Sequence, residues 1–255
     1  MSTETMVHAV AMGGVLAACL LWSGPLSAGG GSSTGPSLSA GVAGLADSIH
    51  WLGHDAMRIE AEGRVIYIDP WQLGDQPKKA DLVLITHDHH DHCSPEDVEK
   101  VFREGTEIVT MAAAAQKLPG KTVHTVAPGD ALTVKDVSIE AVPAYNTNKF
   151  RSPGIPFHPK EAGHVGFVIT LDGVRIYHAG DTDCIPEMKE IRADIALVPV
   201  SGKYVMTVDE ALEAVKIIGP QLAIPMHVGR GIGSMEDAER FRDASPVPAR
   251  VLPVE

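Results

Sequence analysis

The stretch that most restricts how this chain can fold is Leu82-Val83-Leu84-Ile85-Thr86, running directly into His87-Asp88-His89-His90-Asp91-His92. Four apolar residues read as a buried strand, and the strand stops at six ionisable side chains. Ser94-Pro95-Glu96-Asp97 follows as a helix start, with Ser94 at the N-cap, Pro95 at N1 and Asp97 placed to close a capping box. The polar cluster therefore sits in a strand-to-helix turn, held between two rigid elements. Four imidazoles packed together without an ion would resist protonation one after another. A divalent cation removes that conflict, because neutral imidazole and carboxylate are good ligands for zinc and its neighbours. From one turn, His87 and His89 can reach one ion, and Asp91 and His92 a second. The competing reading is a solvated His/Asp loop, which a preceding buried strand and a following cap disfavour.

A chain of 255 residues with 44% hydrophobic composition can bury the core of one α/β domain. With 21 basic against 33 acidic side chains the net charge is −12, which repels phosphate backbones and argues against nucleic acid as a partner. Beyond the N-terminal segment no apolar run approaches the roughly 20 residues of a membrane span. Residues 1–46 read as a leader: 10–22 is apolar and uncharged, and 24–44 is rich in Gly, Ser, Ala and Pro, a secretory core followed by a flexible tether. Leu16-Ala17-Ala18-Cys19 resembles a lipoprotein box, and cleavage after Ala28 competes with it. The segment before it has no Lys or Arg, and the apolar run continues past Cys19, so a cytosolic tail is the opposing reading. Export, periplasmic or lipid-anchored, is placed ahead of a cytoplasmic location, and contact with a membrane is expected only through this leader. The functional domain is placed at 47–255. Cys93 and Cys184 flank site-bearing turns and are read as structural neighbours.

Strands are expected at 48–52, 56–61 and 65–68, then 107–111, 122–126, 131–134 and 137–142, and later 195–198 and 222–225. Helices are expected from Ser94, over 112–117, 207–218 and 235–244. The spacing of Ile59-Glu-Ala-Glu-Gly63-Arg-Val-Ile-Tyr67 recurs in Ile169-Thr-Leu-Asp-Gly173-Val-Arg-Ile-Tyr177, hinting at two related halves. Strands in two batches, each followed by helices, suit an α/β fold: a four-layer αββα sandwich of two mixed sheets with helices outside. Between Pro143 and Gly163 no periodicity is visible, and a loop that long is read as a flap over the site. Its Lys149, Arg151 and Lys160 face only Glu161 in the local sequence, so it is read as basic, with Asn146, Lys149 and Arg151 meeting an anionic group of the substrate. A solvated loop with incidental charge is the alternative.

The pattern His87-Asp88-His89-His90-Asp91-His92 resembles the signature of the metallo-β-lactamase superfamily. Val174 to Asp181 resembles that superfamily's strand ending in a metal-bridging aspartate, and Leu222-Ala-Ile-Pro-Met-His227 its last strand, ending in a histidine for the second metal. Trp51-Leu-Gly-His54 and Pro199 to Thr207 look most like its small single-domain hydrolases, related to L-ascorbate-6-phosphate lactonase and N-acyl phosphatidylethanolamine phospholipase D. The resemblance implies two divalent ions, Zn2+ first and Mn2+ or Fe2+ as alternatives. It places His87 and His89 on one ion, Asp91, His92 and His227 on the other, and Asp181 between them. The superfamily's remaining histidine, expected after the strand at 137–142, is absent: the chain there reads Pro143-Ala144-Tyr145-Asn146. His158 is the favoured replacement, with His164, Asn146 or water as the other options. Asp91 is also assigned to orient water or carry its proton, Tyr145 to protonate an oxyanion or cap the core, and His54 to support a ligand from behind or to lie at the surface. The expected activity is hydrolysis of a small ester, lactone or phosphodiester by water made nucleophilic at the metals. A metal-binding protein without turnover, or a β-lactamase, are the alternatives.

Overall fold

The computed structural model describes residues 37–255; the readings of the leader before residue 37 lie outside the described residues. A short helix, α1 (Ala40–Ala46), comes first, and it falls inside the stretch read as flexible tether. Its Ser39 cap and its buried Val42, Leu45 and Ala46 explain the difference: small residues that read as linker composition here form one apolar helix face.

The first sheet is built from β1 (Ile49–Trp51), β2 (Met57–Ala61), β3 (Arg64–Ile68), β4 (Leu82–Ile85), β5 (Glu107–Met111) and β6 (Val123–Val126), in that spatial order. Helices α2 (Pro95–Val101) and α3 (Ala112–Ala115) interrupt its later strands. Then β7 (Ala131–Val134), β8 (Val137–Pro143), a small hairpin of β9 (Phe150–Ser152) and β10 (Ile155–Pro156), β11 (Val165–Leu171) and β12 (Val174–His178) follow. The chain closes with β13 (Ile195–Pro199), α4 (Val208–Ile218), β14 (Leu222–Met226) and α5 (Met235–Ala244). The second sheet runs β14-β13-β12-β11-β8-β7. Both sheets are mixed: β3 to β6 are parallel in one, β12 to β14 in the other.

Residue identity explains the layering. On β4, Leu82 and Leu84 enter the large core between the sheets, while Val83 and Ile85 enter a second cluster beneath α2, with Val98 and Val101. A strand covered on both faces has no polar side, hence its unbroken apolar run. On the other side α4 packs on β13 and α5 on β14. The expected αββα order is thus the observed one.

The two halves echo each other at one point. Glu62-Gly63 between β2 and β3, and Asp172-Gly173 between β11 and β12, both take positive φ at both positions (52° and 73°, 49° and 74°). That is the two-residue turn whose twist matches antiparallel strands. Each hairpin delivers its second strand beside a parallel neighbour. The turns after β3, β4, β12, β13 and β14 all leave the carboxyl ends of parallel strands, the usual place for a site in such sheets.

Candidate metal centre

Four imidazoles present their Nε2 atoms to one space because each has its Nδ1 engaged behind. Thr86 Oγ1 is 3.0 Å from His87 Nδ1, Asp69 Oδ2 2.8 Å from that of His92, Asn146 Oδ1 2.9 Å from that of His158, and Ser201 Oγ 2.9 Å from that of His227. Fixing one ring nitrogen selects the tautomer and aims the other, as the groups behind metal ligands do. His89 is reversed and offers Nδ1, 3.1 Å from His87 Nε2 and 3.2 Å from His158 Nε2. Asp181 stands between two groups of rings. Its Oδ2 is 3.1 Å from His158 Nε2, and its Oδ1 is 3.4 Å from both His92 Nε2 and His227 Nε2.

Those separations fit an ion. Two donors each about 2.1 Å from a tetrahedral cation lie about 3.4 Å apart. The polar accounting agrees: among the described residues nine buried side-chain polar atoms have no hydrogen-bond partner, and eight belong to His54, Asp55, His92, His164, Asp181 and His227. Buried polar atoms are rarely left unpaired, and a cluster of them facing one another calls for a cation.

The charges point the same way. Burial works against protonating His92, yet Asp181, Asp69 and Asp55 overcome it and hold its pKa well above the ordinary value. Burial alone would raise Asp181, but His227, His92 and His158 drive it well below the carboxylate range. Burial and then Asp181 push Asp55 far up. His87 is pushed well down, by burial first and by His92 next.

The backbone is bent to achieve this. His54, Asp69 and His227 all take positive φ (55°, 48° and 59°). His54 is held there by its carbonyl, which accepts from Trp51 Nε1 and from the backbone N–H of His227. Gly180, at φ 61°, precedes Asp181 where an added Cβ would lie 3.1 Å from Thr86 Cβ, so the two site turns meet across a glycine.

Of the sequence-predicted residues, His87, His89, His92, His158, Asp181 and His227 are brought together. Asp91 stands at the rim with Oδ2 3.4 Å from His54 Nε2; burial would raise its pKa, but His54 and His92 hold it below the usual range. His54 is buried between Asp91 and the His227 ring, whose centroid is 4.2 Å away, and burial pushes it down to about 4. His164 stacks on His87 at 4.8 Å.

Three readings are corrected. The Tyr145 hydroxyl donates to Glu187 at 2.9 Å and sits beside Lys160, so it is committed to the base of the flap and does not line the cavity. Asn146 is not a substrate contact: it accepts from both the backbone N–H and Nδ1 of His158 and donates to Asp183 and the Tyr204 carbonyl. Lys149 is neutralised by Glu210 at 2.8 Å and Asp183 at 3.3 Å. Lys160 pairs likewise with Glu187. Arg151 alone of the three flap cations has no carboxylate within 4.0 Å among the described residues, and it lines the cavity.

Residues not singled out from sequence complete the site. Asp69 also accepts from Thr86 N and Oγ1, and buried Asp183 accepts from the backbone N–H groups of Thr147 and Asn148. The sequence signal for Asp69 is its place at a strand end, in Ile68-Asp69-Pro70. Cys93 is buried and free, its thiol pushed up to about 11 by burial, and Cys184 is free also.

The family model described as a beta-lactamase superfamily domain matches residues 48–227. A UPF0173 metal-dependent hydrolase of Methanoculleus marisnigri is 34% identical over 197 residues, covering 75% of this chain and 85% of that protein. Another, from Archaeoglobus fulgidus, is 32% identical over 227 residues, covering 81% and 93%. The chain belongs to the UPF0173 metal-dependent hydrolases of the beta-lactamase superfamily. Solved structures agree with this hydrolase's fold. A Parabacteroides distasonis protein superposes with TM-score 0.71 at 32% identity, covering 81% of this chain and 93% of its own. Igni18, a metallo hydrolase of Ignicoccus hospitalis, gives 0.64 at 28% identity, covering 80% and 94%.

Proposed function

We propose that this hydrolase cleaves a small ester, lactone or phosphodiester carrying an anionic group, using two divalent ions, zinc first among them. The observation that carries the reading is the division of Asp181, one oxygen toward His158 and the other toward His92 and His227. His87, His89 and His158 would hold one ion, and Asp91, His92 and His227 the other, with Asp181 shared. When bound, such ions supply Lewis acidity, polarising a substrate oxygen and lowering the pKa of water toward neutrality.

The protein's own groups do the rest. Thr86, Asp69, Asn146 and Ser201 fix the tautomers, so no ring has to reorient during reaction. Asp91, kept anionic and anchored by His54, is positioned to accept a proton from an attacking water. Arg151 at the cavity rim supplies a planar cation for the substrate's anion. No serine or cysteine nucleophile is needed.

The test is a panel of lactones, phosphodiesters and β-lactams, assayed after chelation and after return of zinc or manganese. Turnover of an anionic ester, lactone or phosphodiester that disappears on chelation and returns with metal is expected. Arg151→Ala should raise KM for anionic substrates by about 10-fold or more, the worth of a charge-assisted hydrogen bond, and Lys149→Ala should leave it nearly unchanged. Metal-independent turnover, or equal effects of the two substitutions, would overturn the reading.

A further inference from the structure

The ligand set leaves the rest of the cavity unexplained. Its volume is about 580 Å³, room for a small organic molecule beyond the reacting group. On the side of His158 it is walled by Phe157 and Tyr204, whose rings meet edge to face at 4.7 Å and 70°. Tyr204 holds φ 71°, a left-handed conformation that a bulky side chain rarely accepts. Its carbonyl accepts from Asn146 Nδ2 at 2.9 Å. The same amide orients His158 through its Oδ1. One side chain therefore fixes both a metal-facing imidazole and an aromatic wall, so the wall stands in a set position relative to the reacting centre. Strain retained at a bulky residue on a cavity wall points to a use for that ring. Arg151 completes the arrangement: its Nη2 donates to the Phe157 carbonyl at 3.0 Å, and its guanidinium carbon lies 5.9 Å from the Phe157 ring centre.

We propose that the cavity is built for an anionic substrate bearing a planar, apolar limb, with Phe157 and Tyr204 contacting the limb and Arg151 the anion. This rests on the hydrolase reading only for which end of the substrate reacts. The limb itself is recognised by ring faces and edges, and aromatic contacts add to the ordinary gain of burying a ring.

Phenylphosphonate and methylphosphonate separate the limb from the anion, since they share one headgroup. Their dissociation constants are measured by calorimetry on the full-length protein, metal-free and manganese-loaded. Phenylphosphonate should bind at least about tenfold more tightly. Tyr204→Asn, which tolerates the left-handed backbone, and Phe157→Leu should each bring that ratio to within about twofold, while Tyr204→Phe preserves it. Arg151→Ala should weaken both phosphonates by the same factor. Circular dichroism establishes which variants are folded, and Phe157→Leu carries the test should Tyr204→Asn fail to fold. Equal binding of the two phosphonates to the wild-type protein, or a preference that survives loss of the rings, overturns the proposal. A preserved preference in a protein that hydrolyses none of the panel would overturn the catalytic reading and leave the aromatic subsite standing.

Discussion

Asn146 illustrates how a residue's task depends on what reaches it. Its amide accepts twice from His158 and donates to Asp183 and Tyr204, so every hydrogen-bonding edge is spent on positioning. Asn146→Ala should lower metal affinity about 10–100-fold, the usual penalty for removing a partner behind a metal ligand; competition against a chromophoric chelator reads this directly. Tyr145, its neighbour, should matter far less to catalysis. With its hydroxyl given to Glu187, Tyr145→Phe should change kcat less than about twofold and reduce stability by about 1 kcal/mol, the net worth of one hydrogen bond. A large loss of kcat would restore it to the catalytic machinery.

At the scale of elements, the flap between β8 and β11 is tied down at both ends by carboxylates from distant turns. Asp183 collects the backbone of Thr147 and Asn148, Glu187 takes Lys160, and Glu210 at the start of α4 takes Asn148 and Lys149. Glu210 also closes the capping box with Thr207. Burial opposes its ionisation, but Lys149, Thr207 and Asn148 prevail and draw it from 4.5 down to about 2. A carboxylate depressed on folding stabilises the native state fully above its unfolded pKa and loses that contribution as pH falls through the folded one. The gap in melting temperature between wild type and Glu210→Gln should therefore be full above pH 4.5 and close toward pH 2. A gap independent of pH would refute the assignment. The helix at Ser94 carries a related lesson: Asp97, expected to close a capping box, instead receives the backbone N–H groups of Gln72 and Leu73, and Ser94 still caps.

For the whole molecule, what was legible in the sequence was local. The apolar run of β4, the recurring spacing around Gly63 and Gly173 and the cap at Ser94 each declare themselves within a few residues, and from the batches of strands and helices around them the two-sheet architecture follows. The cluster at 87–92 was legible because its density of imidazole has few other physical explanations. What stayed hidden were pairings across long separations. Two of the three flap cations, Lys149 and Lys160, looked free because their partners, Glu210, Asp183 and Glu187, lie 27 to 61 residues away. Helix α1 was masked by a composition that reads as linker until it meets the core. Asp69 was hidden because a strand-terminal Asp-Pro says nothing about which histidine it will meet.

We propose that the turns bearing His87 to His92, Asp181 and His227, together with His158 of the flap, converge to hold a pair of divalent ions. The most direct test is metal content by mass spectrometry, on wild-type protein and Asp181→Ala incubated with zinc and freed of loose ions. Two ions per chain in the wild type and at most one in the variant is the predicted result. A wild-type protein that retains no metal, or a variant that keeps the full complement, would contradict it.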